Sequence, residues 1–178
     1  MLNSKAGRFS RLVIYAIASL LIASVIPLSG CTKKKAPTVA VGQKLPQITL
    51  TSASGSPFVL PSGMEGKLSV ILFWSKGCNY CKREMPLMQP LYEKYADKGF
   101  LIVGVHEGND PEAVDEMVKA NALTFPMLVD SSREAEGLFG IVAVPTMFVI
   151  APDGTVKEKV LGGLPVEQIE KLVFEGGK

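Results

Sequence analysis

The sequence predicts an α/β domain in which a mixed central sheet is flanked by helices. Three observations carry that reading. Two apolar runs, residues 69–74 and 100–105, are joined by a segment of helical period, which makes a β-α-β unit with a parallel strand pair. A short turn, Ala151-Pro152-Asp153-Gly154, links two later strands too closely for anything but antiparallel pairing. The segment carrying Val166, Ile169, Leu172 and Val173 closes the chain as an amphipathic helix.

The chain begins with features that belong to export rather than to the fold. Lys5, Arg8 and Arg11 precede a charge-free apolar stretch at 12–28, and small residues then lead into Cys31. That is the build of a secretory signal, so residues 1–30 are expected to be removed. Leu28-Ser29-Gly30-Cys31 resembles a bacterial lipobox, which implies that Cys31 becomes a lipid-modified N-terminus. Two acyl chains hold a protein to a bilayer stably where one does not. Residues 31–40, with Lys33-Lys34-Lys35 and few apolar side chains, are expected to form a tether, and residues 41–178 the folded domain.

Removing the signal changes the charge argument. The 19 basic residues lose three and the 17 acidic ones lose none, leaving 16 against 17, or a net charge of −1. No basic stripe with interleaved aromatics remains, so nothing points to a nucleic-acid partner and none is expected.

Within the domain, alternating residues at 47–51 and 58–60 on either side of Ser54-Gly55-Ser56-Pro57 predict an N-terminal hairpin. Residues 69–74 read as a central strand covered on both faces. Met88, Leu91, Tyr92 and Tyr95 give the next segment its helical period, and Lys98-Gly99 ends it. These aromatics and methionines are core residues. Pro86 and Pro90 fall inside that helix, each removes a backbone donor, and a kink or interruption is expected. After the 100–105 strand, Asp110-Pro111 caps and starts another helix, with Val114, Met117 and Val118 inward. Met127-Leu128-Val129 is a short strand, and a small helix over 133–139 stops at Gly140. Strands at 146–150 and 155–160 flank the final turn.

The chemistry lies in Phe73-Trp74-Ser75-Lys76-Gly77-Cys78-Asn79-Tyr80-Cys81. With Cys31 assigned to lipid, Cys78 and Cys81 are a lone C-x-x-C pair at a helix start, where free N–H groups and the helix dipole favour a thiolate. Zinc wants four nitrogen or sulfur ligands and the chain has one histidine, so no metal site is expected. That histidine, His106, ends the second strand and is either a general base or an ordinary hydrogen-bonded side chain.

These residues, with Glu84 and Pro86 following and Gly140-Ile141-Val142-Ala143-Val144-Pro145-Thr146 before the last hairpin, resemble the thioredoxin-like fold, and within it the extracytoplasmic ResA/TlpA group of thiol-disulfide oxidoreductases. The resemblance spans about residues 41–178, including an inserted helix-strand segment around 110–129. It implies that Cys78 attacks a substrate disulfide and Cys81 resolves the mixed disulfide. It implies a cis bond between Val144 and Pro145, with the Val144 backbone and Trp74 meeting substrate. Glu84 would handle the proton of the buried cysteine, since Leu72 stands where thioredoxins carry a buried aspartate; otherwise it is a solvated partner of Lys82, Arg83 or a lysine further along the helix. Asn79 and Tyr80 would tune the reduction potential. Gly77 and Tyr80 depart from the tryptophan and proline common in the group, which leaves the direction of electron flow open.

The implied partners are a disulfide-containing exported protein, such as an apocytochrome c, an upstream membrane or periplasmic thiol reductant, and the membrane lipid on Cys31. No cofactor is implied. Two alternatives share the fold. A peroxiredoxin would use Ser75 beside Cys78, but Ile71 stands where its proline belongs. A Sco-like copper protein would use the cysteines with His106, but it spaces its cysteines C-x-x-x-C.

Overall fold

In the computed structural model, residues 39–176 are described. The strands are β1 (Ile48–Ser52), β2 (Pro57–Leu60), β3 (Leu68–Trp74), β4 (Phe100–Glu107), β5 (Met127–Asp130), β6 (Thr146–Ile150) and β7 (Val156–Leu161). The helices are α1 (Asn79–Tyr95), α2 (Pro111–Asn121), α3 (Glu134–Phe139) and α4 (Val166–Lys171). All seven strands form one sheet in the order β2-β1-β5-β4-β3-β6-β7. The β3/β4 and β4/β5 pairs are parallel, and every other pair is antiparallel. The mixed sheet, the N-terminal hairpin and the inserted α2–β5 segment all follow the sequence expectation.

Period-two alternation in β3 separates two cores. Val70, Leu72 and Trp74 pack with Met85 and Met88 of α1, Val114 and Met117 of α2, and Ile169 of α4. Ile71 and Phe73 face the other way, onto Phe139 of α3, Phe148 of β6 and the apolar residues of the N-terminal hairpin. Phe73, Phe139 and Phe148 meet with ring centroids 5.0 to 6.0 Å apart. Phe148 is fully buried in this cluster. Phe148→Ala is expected to cost about 3–5 kcal/mol, because a cavity adds to the lost transfer energy; guanidinium unfolding at constant m-value measures it.

Two local expectations are corrected. Pro86 and Pro90 do not interrupt α1, which runs unbroken through both. Neither proline can donate to the carbonyl four residues back, but buried Met85, Met88, Gln89 and Leu91 hold both halves of the helix on the sheet, and tertiary packing outweighs the lost bonds. The domain also begins before residue 41. Val39 is buried, and its N–H donates to Leu138 O at 2.7 Å, so this residue, assigned to the tether, is part of the packed body, while Ala40 beside it is exposed. The expected signal at 1–30, Cys31 and the tether through residue 38 lie outside the described residues. Among the described residues no helix is long and apolar enough to cross a membrane.

Other local signals are realised. Asp110 caps α2 by accepting from Ala113 N at 2.9 Å, with Pro111 at the first position. Gly140 ends α3 at φ +57°. The parallel register pairs Trp74 with His106, while antiparallel β6 begins with Thr146 opposite Phe73. The start of α1, the end of β4 and the loop before β6 therefore meet at one end of the sheet.

Candidate active site

Cys78 is the N-cap of α1. Its extended backbone (φ −84°, ψ 102°) leaves the helix direction, and its Sγ accepts from Cys81 N at 3.0 Å. A sulfur in that position receives the unpaired N–H groups and the positive end of the helix dipole, an arrangement that stabilises a thiolate. Cys78 and Cys81 are joined as a disulfide with Cα atoms 5.3 Å apart. Cys78 is half-buried and Cys81 only 2 % exposed, so an incoming partner meets Cys78 first.

The loop before Cys78 is pinned at three points. Cys78 N donates to Ser75 O at 3.1 Å, Lys76 N donates to His106 Nε2 at 3.2 Å, and the Lys76 ammonium pairs with Glu116 of α2 at 2.9 Å. Trp74 lies beneath this loop, 1 % exposed, with its ring edge-on to His106 at 4.7 Å. Trp74, expected to meet substrate, is thus almost closed off from solvent. It forms one wall of a groove of about 260 Å³ with Lys76, Lys82, Glu116 and Asn121, and otherwise supports the loop.

Across from Cys78 stands the loop that enters β6. The Val144–Pro145 bond is cis, and Val144 O lies 3.7 Å from Cys78 Sγ. Thr146 Oγ1 donates to Ala143 O at 2.6 Å, and Gly162 N donates to Pro145 O at 2.8 Å, so the loop is held on both sides of the proline. A second cis bond, Leu60–Pro61, lies at the hairpin, where the sequence carries no comparable signal.

Residues 41–159 match the AhpC/TSA family. The thiol-disulfide oxidoreductase ResA of Oceanobacillus iheyensis is 33 % identical over 174 residues, covering 94 % of this chain and 88 % of that protein. ResA of Bacillus thuringiensis is 33 % identical over 130 residues, covering 73 % and 75 %. The chain belongs to the AhpC/TSA family, among its ResA-type thiol-disulfide oxidoreductases. The fold is thioredoxin-like. A crystal structure of a Chlorobium tepidum thiol:disulfide interchange protein, DsbE, superposes with a TM-score of 0.71 at 24 % identity, covering 78 % of this chain and 99 % of that one.

In this ResA-type oxidoreductase the third titratable candidate, Glu84, is buried at 5 % exposure one turn beyond Cys81 on the same helix. Oε1 accepts from Leu164 N at 3.1 Å, and Oε2 is buried with no partner. Burial pushes its carboxyl above the usual glutamate range, and the Leu164 N–H opposes that only in part. The reading of Glu84 as a solvated partner of Lys82 or Arg83 is overturned. Leu72, 3 % exposed, leaves no carboxylate at the site the resemblance marks for one.

Of the two residues between the cysteines, Asn79 is exposed and Tyr80 is 44 % exposed. The Arg83 guanidinium lies 5.3 Å from the Tyr80 ring centroid, and the ring packs so closely on Gly163 that a Cβ there would overlap it. The C-x-x-C turn is thus tied to the β7–α4 loop twice, through Tyr80 on Gly163 and Glu84 on Leu164. Sequence reasoning missed this loop. Its only signal was Gly162-Gly163 just after a strand, a pattern that also marks any turn. Gly163→Ala is expected to swing Tyr80 out and shift the dithiol's reduction potential while leaving the melting temperature within a few degrees; redox titration against glutathione measures it.

Proposed function

We propose that the chain is a membrane-tethered, extracytoplasmic thiol-disulfide oxidoreductase that reduces disulfides of exported proteins, apocytochrome c among them. The observation that carries this reading is the approach of Cys78 Sγ to the Val144 carbonyl at 3.7 Å, with Cys81 buried behind it. An extended substrate segment can pair with the Val144 backbone while its disulfide lies against Cys78. The tether rests on the sequence at Cys31 and the apolar stretch before it.

The chemistry balances as two exchanges. The Cys78 thiolate attacks one substrate sulfur, the substrate S–S bond breaks, and the departing substrate thiolate takes a proton. The Cys81 thiol then gives its proton to Glu84 and attacks Cys78 Sγ, and the second substrate sulfur leaves. The substrate disulfide gains two electrons and the enzyme dithiol loses two. An upstream thiol reductant from the membrane or periplasm restores the dithiol. The pair sits at i, i+3 on one helix, so the second attack is intramolecular and outruns release of the mixed disulfide.

A Cys81→Ser variant tests the assignment. It should accumulate a covalent substrate adduct on Cys78, identifiable by mass spectrometry after non-reducing separation. Adducts of this variant that map elsewhere, or none at all, would end the reading. Loss of fatty-acid labelling in Cys31→Ser tests the anchor. A peroxidase reading draws on the family match, but Cys81 at i+3 and Ile71 in the place of a proline favour dithiol exchange. Peroxide consumption no faster than that of a free thiol would exclude it.

A further inference from the structure

We propose that His106 is a positioning residue for Cys78, acting through the loop that delivers this cysteine to the start of α1. The proposal rests on Cys78 being the attacking thiol.

Only Ser75, Lys76 and Gly77 separate the end of β3 from Cys78, and the Lys76 N–H belongs to no sheet or helix ladder. A backbone donor there needs a partner, and it finds His106 Nε2 at 3.2 Å. His106 is only 4 % exposed, ends the buried part of β4, and is held edge-on against its register partner Trp74. The imidazole is therefore a fixed acceptor. With Lys76 N held, Ser75 O stays in place to accept Cys78 N, which sets the N-cap geometry of Cys78. The Lys76–Glu116 pair restrains the same residue from its side chain, but both groups are exposed and such a pair contributes little.

The same geometry removes the general-base reading of this histidine. Nε2 is occupied by the Lys76 N–H, so the proton of the neutral ring resides on Nδ1, which is buried and has no partner. Neither nitrogen is available to a sulfur. The contribution is mechanical: an ordered loop keeps the helix's first N–H groups aimed at Sγ, and the thiolate is stabilised by the helix terminus.

Two variants and one spectrum test this. His106→Gln keeps an acceptor close to the Nε2 position, whereas His106→Leu fills the space without one. In reduced protein, His106→Leu is expected to lower the alkylation rate of Cys78 by iodoacetamide about two- to five-fold at pH values below the thiol's titration, the effect of weakening a helix-terminus interaction. Its reduction potential should move to more reducing values, because the thiolate form is less stabilised. His106→Gln should stay close to wild type in both. Equal rates at Cys78 in folded His106→Leu and wild type, or a Gln variant as impaired as the Leu one, would overturn the proposal. If His106→Leu does not fold, ¹⁵N spectra of the wild type decide: a protonated Nδ1 with an unprotonated, hydrogen-bonded Nε2 is expected, and the opposite tautomer refutes the arrangement. Peptide mapping keeps the two ideas apart, since alkylation falling first on Cys81 would overturn the assignment of Cys78 as nucleophile instead.

Discussion

Cys78→Ala is expected to reduce thiol–disulfide exchange to the rate of a protein-free solution, measured as reduction of a fluorogenic disulfide peptide or of insulin. Among the described residues no other sulfur can substitute. Cys81 is 2 % exposed and lies behind Cys78, so a bulky disulfide cannot reach it, and it lacks the N-cap position in which Sγ receives an N–H. The fold should survive, because a C-x-x-C bridge closes too short a loop to contribute much chain entropy. A variant with normal melting and wild-type exchange would show that the chemistry lies elsewhere.

Glu84→Gln is expected to slow the second exchange by about 10²-fold or more while leaving the first nearly unchanged, since positioned proton transfer contributes at least that much. Stopped-flow mixing with a disulfide substrate separates the two phases. The pH dependence has a definite sign. In the proposed mechanism Glu84 is ionised when it takes the Cys81 proton, and burial raises its folded titration above the usual glutamate range, so the resolving rate should rise with pH through that raised value and then level. The Gln variant should lose this inflection and gain rate only where Cys81 itself ionises.

Stability follows from the same shift. Folded protein holds the Glu84 proton more tightly than unfolded protein, so between the ordinary glutamate value and the raised one the native state binds more protons. Stability therefore falls as pH rises through that window, and the slope from Glu84 is absent in Glu84→Gln. A wild type whose unfolding free energy rises across the window, relative to the variant, would contradict the buried carboxylate.

Most of the architecture was legible because it is written in local patterns. Residues 69–74 and 100–105 are apolar without alternation, which marks strands covered on both faces. Asp110-Pro111 and Gly140 punctuate helices by their own backbone preferences. Pro86 and Pro90 misled because propensity counts a lost hydrogen bond and cannot count Met85, Met88 and Leu91 pressed onto the sheet. Asp130 was invisible for a related reason. It is fully buried at the end of β5 and accepts from Ala135 N and Glu136 N at 3.2 and 2.8 Å, capping α3 from outside the helix.

By itself the sequence determined the reactive pair. Cysteines at i and i+3 after a strand must lie close together at a helix start, and that nearness needs only the helix repeat. It also marked Val144-Pro145 as the opposing element by resemblance. Only the tertiary structure decided what surrounds the pair, because those contacts join residues far apart in the chain. Glu84 meets Leu164 and Tyr80 meets Gly163, each about 80 residues on, and Lys76 meets His106 across 30. Burial turned Glu84 from a surface charge into a perturbed carboxylate, and the Lys76 N–H gave His106 Nε2 a backbone partner in the loop before Cys78. Neither outcome is encoded in residue type or spacing, since solvation and hydrogen-bond pairing are properties of the packed chain.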